Sequence, residues 1–199
     1  MKFLILMGSP HKNGNTMQCL QPFCETLKNT GHEVDLIWLY DKKIAGCRAC
    51  RFCQEDWSKF TCVIQDDTIF LADQIMNSDY IVLATPIYSW YCTPPMKALL
   101  DRMVYGMNMY YGEGKGPSLW AGKKMAIVTT CGYKPEKGAD LFEEGIRRYC
   151  RHSQLQYMGM LAERHLGYQS AFMDETKAAH ARAFALKLCE AKTGAIRIL

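Results

Sequence analysis

The 199 residues carry 24 Lys and Arg against 20 Asp and Glu, and the formal net charge of +4 is scattered without any block of like charge, which gives nucleic-acid and membrane-surface binding no support. Hydrophobic residues make up 49%, enough for a large core, and no apolar run approaches the roughly 18 residues of a membrane helix. Ten cysteines in so core-rich a chain exclude a small disulfide scaffold, and the apolar run in the opening MKFLILM is too short for a signal peptide, so the expected compartment is the cytoplasm.

Residues 2–7, KFLILM, read as a strand buried on both faces. Asn15 or Thr16 is the expected cap of a helix whose apolar face is Met17, Leu20, Phe23, Cys24 and Leu27, and Asn29-Thr30-Gly31 ends it. Residues 33–39 predict a second strand. A loop over about 40–65 follows, its Cys-rich part (44–65) inserted after that strand. Asp66-Asp67 predict a helix start over 67–77. Residues 80–84 form a third strand ending at Thr85-Pro86, and Pro94-Pro95 open the helix MKALLDRMV. Gly106 to Gly122 reads as a loop, whose segment 103–111 would cover a substrate pocket or a subunit interface. A strand over 124–130, a helix over 139–151, a strand over 155–161 and a closing helix over 174–191 complete a single domain, 1–199. Five strands alternating with helices predict an α/β fold with a doubly wound, five-stranded parallel sheet between two helical layers. Ligands bind such sheets beyond the C-terminal strand ends, which points to loops 8–16, 85–95 and 130–135.

The first loop, Gly8-Ser9-Pro10-His11-Lys12-Asn13-Gly14-Asn15-Thr16, runs from a strand into a helix start, where free N–H groups and the helix dipole favour an anion. Ser9, Asn13, Asn15 and Thr16 offer donors and Lys12 a charge. It is neither a triphosphate loop nor a dinucleotide fingerprint. An ordinary capped strand–turn–helix is the bland alternative. Thr85-Pro86-Ile87-Tyr88-Ser89-Trp90-Tyr91 offers aromatics for a planar ligand or, equally, an oligomer contact. Thr129-Thr130-Cys131-Gly132-Tyr133 offers backbone donors or is a plain turn.

In this order, GSPHKNGNT, ATPIY with PPMKALLDR, and GKKMAIVTTCG resemble the FMN-reductase branch of the flavodoxin-like superfamily, which includes NAD(P)H-dependent flavin oxidoreductases and iron–sulfur flavoproteins. The resemblance covers about residues 1–190. It implies a flavodoxin-like fold and FMN, with Ser9, His11, Asn13, Asn15 and Thr16 at the phosphate. Pro86, Ile87, Tyr88 and Ser89 then lie around the isoalloxazine, and Thr130, Cys131 and Gly132 at its pyrimidine edge. His11 stands where arginine is common. The implied activity passes electrons from NAD(P)H, or from a reduced ferredoxin-like donor, through FMN to a quinone, a nitro or azo compound, free flavin or a protein. Backbone N–H groups near Tyr88 and Ser89 or Gly132 would steady the reduced ring. No acid–base residue is assigned, because the flavin carries the chemistry. Family members commonly form homodimers or homotetramers, and loop 104–122 is the expected contact.

Four cysteines follow the spacing Cys47-x2-Cys50-x2-Cys53-x8-Cys62. The first three suit one loop around a [4Fe–4S] cluster, and Cys62 has chain enough to reach it. Arg48, Arg51 and Lys59 would favour thiolates. The segment resembles the compact motif of iron–sulfur flavoproteins, with a last gap longer than is usual there. Free thiols, a redox disulfide and four-thiolate zinc stay open. So do two other functions: a flavodoxin-like electron carrier, and a redox or metal sensor working through the cysteine loop. The remaining histidines, His32, His152, His165 and His180, show no ligand spacing and read as surface or structural.

Overall fold

A computed structural model describes residues 1–108, 116–167 and 169–190. The run Lys2–Met7 forms β1, and its alternation splits the core: Phe3, Ile5 and Met7 face one side of the sheet, Leu4 and Leu6 the other. A strand apolar on both sides needs a layer over each. Helices α1 (Asn15–Asn29) and α6 (Glu175–Glu190) cover the first side with Leu20, Phe23, Leu27, Ala181, Ala185 and Leu188. Helices α2 (Thr68–Met76), α3 (Pro94–Met107) and α5 (Asp140–His152) cover the second with Leu71, Ile75, Leu99, Met103, Phe142 and Ile146. A single turn, α4 (Pro135–Gly138), precedes α5.

Strands β2 (Glu33–Trp38), β3 (Tyr80–Pro86), β4 (Lys124–Cys131) and β5 (Gln156–Arg164) join β1 in one parallel sheet ordered β2-β1-β3-β4-β5. This is the flavodoxin-like order, and it reverses direction at β1 and β3. The loops leaving β1, β3 and β4 therefore open at the same edge. Among the described residues no helix is long and apolar enough to cross a membrane.

Three local expectations are corrected. The N-cap of α1 is Gly14, in extended conformation, so Asn15 and Thr16 lie inside the first turn and neither caps it. β2 stops at Trp38 because Leu39–Asp41 tighten into a 3₁₀ turn. Gly106 belongs to α3 rather than to a loop. Its missing side chain makes room for the Phe60 ring, since a Cβ there would stand 2.2 Å from Phe60 Cε2. Of the segments expected to cover a pocket or make a contact, 103–111 and 104–122, residues 109–115 lie outside the described residues, whereas Met103 and Met107 belong to α3 and are buried in the core.

Candidate functional site

Gly8 closes β1 where only a bare backbone fits, because a Cβ would stand 2.8 Å from Thr93 Oγ1. That hydroxyl instead donates to the Gly8 carbonyl at 2.7 Å and pins the first loop to the start of α3. Ser9 is buried and its Oγ accepts from the His11 N–H at 3.2 Å. The Gly14 N–H closes the turn onto the His11 carbonyl at 3.1 Å. The first-turn N–H groups of α1 have no intrahelical partner by helix geometry. No side chain caps them and no acidic residue stands in that turn. This is a helix N-terminus left open for an anion. Asn13 is exposed and Asn15 half-buried at its rim. Lys12 does not face the loop alone: it pairs with Asp41 and lies 5.0 Å over the Trp38 ring.

The three loops form one unit. Thr16 Oγ1 and Thr130 Oγ1 are both buried and 2.9 Å apart, which joins α1 to the end of β4. The Thr130 carbonyl accepts from the Ile87 N–H at 2.8 Å, which joins β4 to the loop after β3. Tyr88 and Tyr91 exchange backbone hydrogen bonds of 2.8 and 3.0 Å around Ser89 and Trp90. Both central residues are left-handed, with φ of 48° and 63°. Such turns favour Asn-Gly, so Ser-Trp here stores local strain of the kind that gathers at binding sites. Trp90 is held by stacking on Tyr133 at 6.0 Å between centroids and by its indole N–H on the Lys137 carbonyl.

The result is a pocket of ≈ 300 Å³ lined by Ile87, Ser89, Trp90, Cys131, Gly132, Tyr133 and Gly138. That is the lower end of small-molecule sites. The expectation for backbone donors is corrected in part: the Tyr88 N–H is spent on Tyr91, whereas those of Ser89 and Gly132 have no partner among the described residues. Cys131 is buried, which pushes its thiol up, and its Sγ lies 3.3 Å from the Tyr133 carbonyl. Pro86 ends β3 and is half-buried. Tyr40 was not legible as a neighbour of this site. Its hydroxyl is pushed up, first by burial and then by the nearby Tyr88.

The second feature is the cysteine loop. Cys47, Cys50, Cys53 and Cys62 all line one pocket with Arg48, Arg51, Phe60, Thr61, Arg102 and Tyr105. Ala49 and Arg51, on either side of Cys50, are left-handed, and the Ala49 N–H points at Cys47 Sγ at 3.4 Å. The expected thiolate bias is corrected at Cys53, where burial first, then the neighbouring Cys62 and Cys47 thiols, push the pKa up. Lys59 is turned toward Asp56 at 3.6 Å. A tetrahedral zinc needs sulfurs about 3.8 Å apart. Among the described residues no three His, Cys, Asp or Glu side chains stand close enough to hold one ion.

Asp66 and Arg102 anchor this loop and were not foreseen in that role. Arg102 Nη1 donates to Asp66 Oδ2 and the Ala45 carbonyl, each at 3.0 Å, and Nη2 donates to the Ile64 carbonyl at 3.1 Å. The Ala45 and Thr68 N–H groups donate to Asp66 as well, and Asp67 receives the Lys43 N–H. The aspartates thus do more than start α2. A charge on the apolar face of α3, between Leu99 and Met103, was the available signal. Gly106→Ala is expected to destabilise the fold by about 1–2 kcal/mol net, since severe overpacking on Phe60, at about 2–3 kcal/mol, outweighs the ~1 kcal/mol helix preference of alanine. Urea unfolding checks this, and wild-type stability would contradict the packing described.

Residues 1–143 match the NADPH-dependent FMN reductase family. The chain belongs to that family. An iron-sulfur flavoprotein of Archaeoglobus fulgidus is 37% identical over 148 residues, covering 68% of this chain and 66% of that protein. An iron-sulfur flavoprotein of Methanosarcina thermophila is 32% identical over 104 residues, 52% of this chain and 53% of that one. The chain therefore spans between about half and 66% of the length of these curated relatives. An NAD(P)H:quinone oxidoreductase from Methanothermobacter marburgensis shares the fold with a TM-score of 0.73 at 18% identity, over 96% of this chain and 98% of that one. An FMN-dependent NADH-azoreductase from Bacillus anthracis, in complex with FMN, does so with a TM-score of 0.70 at 14% identity, over 96% and 100%. For this reductase-family chain the open helix end and the aromatic pocket lie at one sheet edge, which is where the family's cofactor has to be tested.

Proposed function

We propose that this chain is an FMN-dependent oxidoreductase that takes electrons from NAD(P)H or a reduced ferredoxin-like donor and delivers them to a small-molecule or protein acceptor. The observation that carries it is the uncapped, acid-free start of α1 joined through Thr16 and Thr130 to the pocket lined by Ser89, Trp90, Cys131 and Tyr133. The donor set fits FMN: an anion site and a pocket flanked by aromatics, bridged by buried threonines. Ser9, His11, Asn13, Asn15 and Thr16, with the first-turn N–H groups, would hold the phosphate. Pro86, Ile87, Tyr88, Ser89, Thr130, Cys131 and Gly132 would surround the ring. Bound FMN supplies the electron-transfer chemistry. The Ser89 and Gly132 N–H groups are the donors available to steady negative charge on a ligand, and the exposed Trp90–Tyr133 stack forms one wall of the pocket.

One observation favours an added cofactor. Four thiols line a single pocket on a loop with two left-handed residues. We read this as a [4Fe–4S] site formed by Cys47, Cys50, Cys53 and Cys62, on the spacing of the first three and the shared pocket. Such a cluster supplies single-electron transfer and would suit a ferredoxin-like partner. The experiment for the main reading mixes the FMN-loaded protein with NADPH or NADH without oxygen and follows the flavin absorbance. Bleaching within seconds supports the oxidoreductase. Slow bleaching with fast exchange to a reductase would support a carrier instead.

A further inference from the structure

Arg102 is only 3% exposed and lines the cysteine pocket. A guanidinium has five N–H donors. Four are used: Nη1 on the Ala45 carbonyl and Asp66 Oδ2, and Nη2 on the Ile64 carbonyl and Asp66 Oδ1 at 3.3 Å. The fifth, Nε–H, is buried with no partner among the described residues. Thr61 lines the same pocket and also buries its hydroxyl without a partner among the described residues. Native interiors rarely leave such donors unmet, least of all on a cation. Two orphaned donors beside four thiols call for an acceptor that is anionic and sulfur-rich, because a neutral thiol accepts only weakly.

We propose that Arg102 and Thr61 are positioning residues for an anionic iron–sulfur cluster, the Arg102 Nε–H and the Thr61 hydroxyl donating to its sulfurs. This rests on the cluster reading above. Two of the four Nη bonds meanwhile fix the loop two residues before Cys47 and two residues after Cys62, and the other two hold Asp66. Arg102 thus joins the frame of the loop to the charge of its contents. Hydrogen bonds to sulfur favour the more reduced, more negative cluster, so removing one lowers the midpoint potential.

Wild type, Thr61→Val and Arg102→Lys are compared after anaerobic reconstitution with ferrous iron and sulfide. Iron, acid-labile sulfide and FMN per chain are measured, together with the midpoint potential by dye-mediated titration. Wild type should hold about four irons per chain. Thr61→Val keeps the fold, the iron and the FMN, and its potential falls. Arg102→Lys keeps the charge without the fork; it retains FMN and loses more than half of the iron. An unchanged potential in Thr61→Val together with full iron in Arg102→Lys would overturn the proposal while leaving the cluster reading intact. Wild type that takes up no iron overturns the cluster reading and this proposal with it, and that is read before any variant.

Discussion

Asn15→Asp is expected to weaken FMN binding about 100- to 200-fold while leaving the free protein as stable as wild type or more so. Asn15 is the first residue of α1, whose opening turn contains no acid and no side-chain cap. A carboxylate there meets the positive helix end, which stabilises a helix by about 0.3–1 kcal/mol. The same carboxylate competes with a phosphate for the same N–H groups. Two like charges about 5 Å apart at an effective dielectric near 20 repel by about 3 kcal/mol, and each 1.4 kcal/mol is a factor of ten. The opposed signs separate a binding effect from a folding effect. Flavin fluorescence titration and a thermal melt on the same samples check it. Unchanged FMN affinity, or equal losses of affinity and stability, would remove α1 from the account.

Arg102→Met is expected to cost about 3–5 kcal/mol, because it strands a buried carboxylate. At about 2–4 °C per kcal/mol for a chain of this size, the melt should fall by about 6–20 °C. The Asp66 and Arg102 side chains are 9% and 2% exposed. Burial, the largest influence on Asp66, pushes its carboxyl up, but the Ala45 N–H, Thr68 and Arg102 together outweigh it and hold the pKa below the ordinary range. A carboxyl depressed by folding adds stability above its unfolded value, near ~3.9, and that stability is lost as pH falls through the folded value. Wild type should therefore lose part of its stability only below about pH 4. Limited proteolysis should cut Arg102→Met first within residues 46–63. A melt within 2 °C of wild type would show that the ion pair does not hold the loop.

Much of the architecture was legible because it is periodic. Lys2–Met7, Tyr80–Pro86 and Lys124–Cys131 are apolar runs too short for helices, each ending where a loop must turn. The resemblance drawn from three loops in order agrees with the family match over residues 1–143. What escaped was set by contacts between residues far apart in sequence. Nothing local announces that Thr16 meets Thr130 across 114 positions, or that Gly106 is empty to admit Phe60. The left-handed turn at Ser89 and Trp90 was hidden for a different reason. Neither residue type prefers that conformation, and the Tyr88–Tyr91 backbone bonds, the Tyr133 stack and the Lys137 carbonyl, all set by tertiary structure, hold Trp90 in it. The cap of α1 was misplaced by one or two residues because an asparagine beside a glycine reads as the cap, whereas the backbone turns at Gly14.

The most direct test of the central claim compares FMN with riboflavin on the purified wild-type chain by equilibrium fluorescence titration. The two ligands share the ring and differ in the phosphate that the start of α1 is proposed to receive. One FMN per chain, bound at least about a hundredfold more tightly than riboflavin, is the predicted result, since charge-assisted phosphate contacts at a helix start amount to about 3 kcal/mol or more. A chain that binds neither, or that binds both equally, would contradict it.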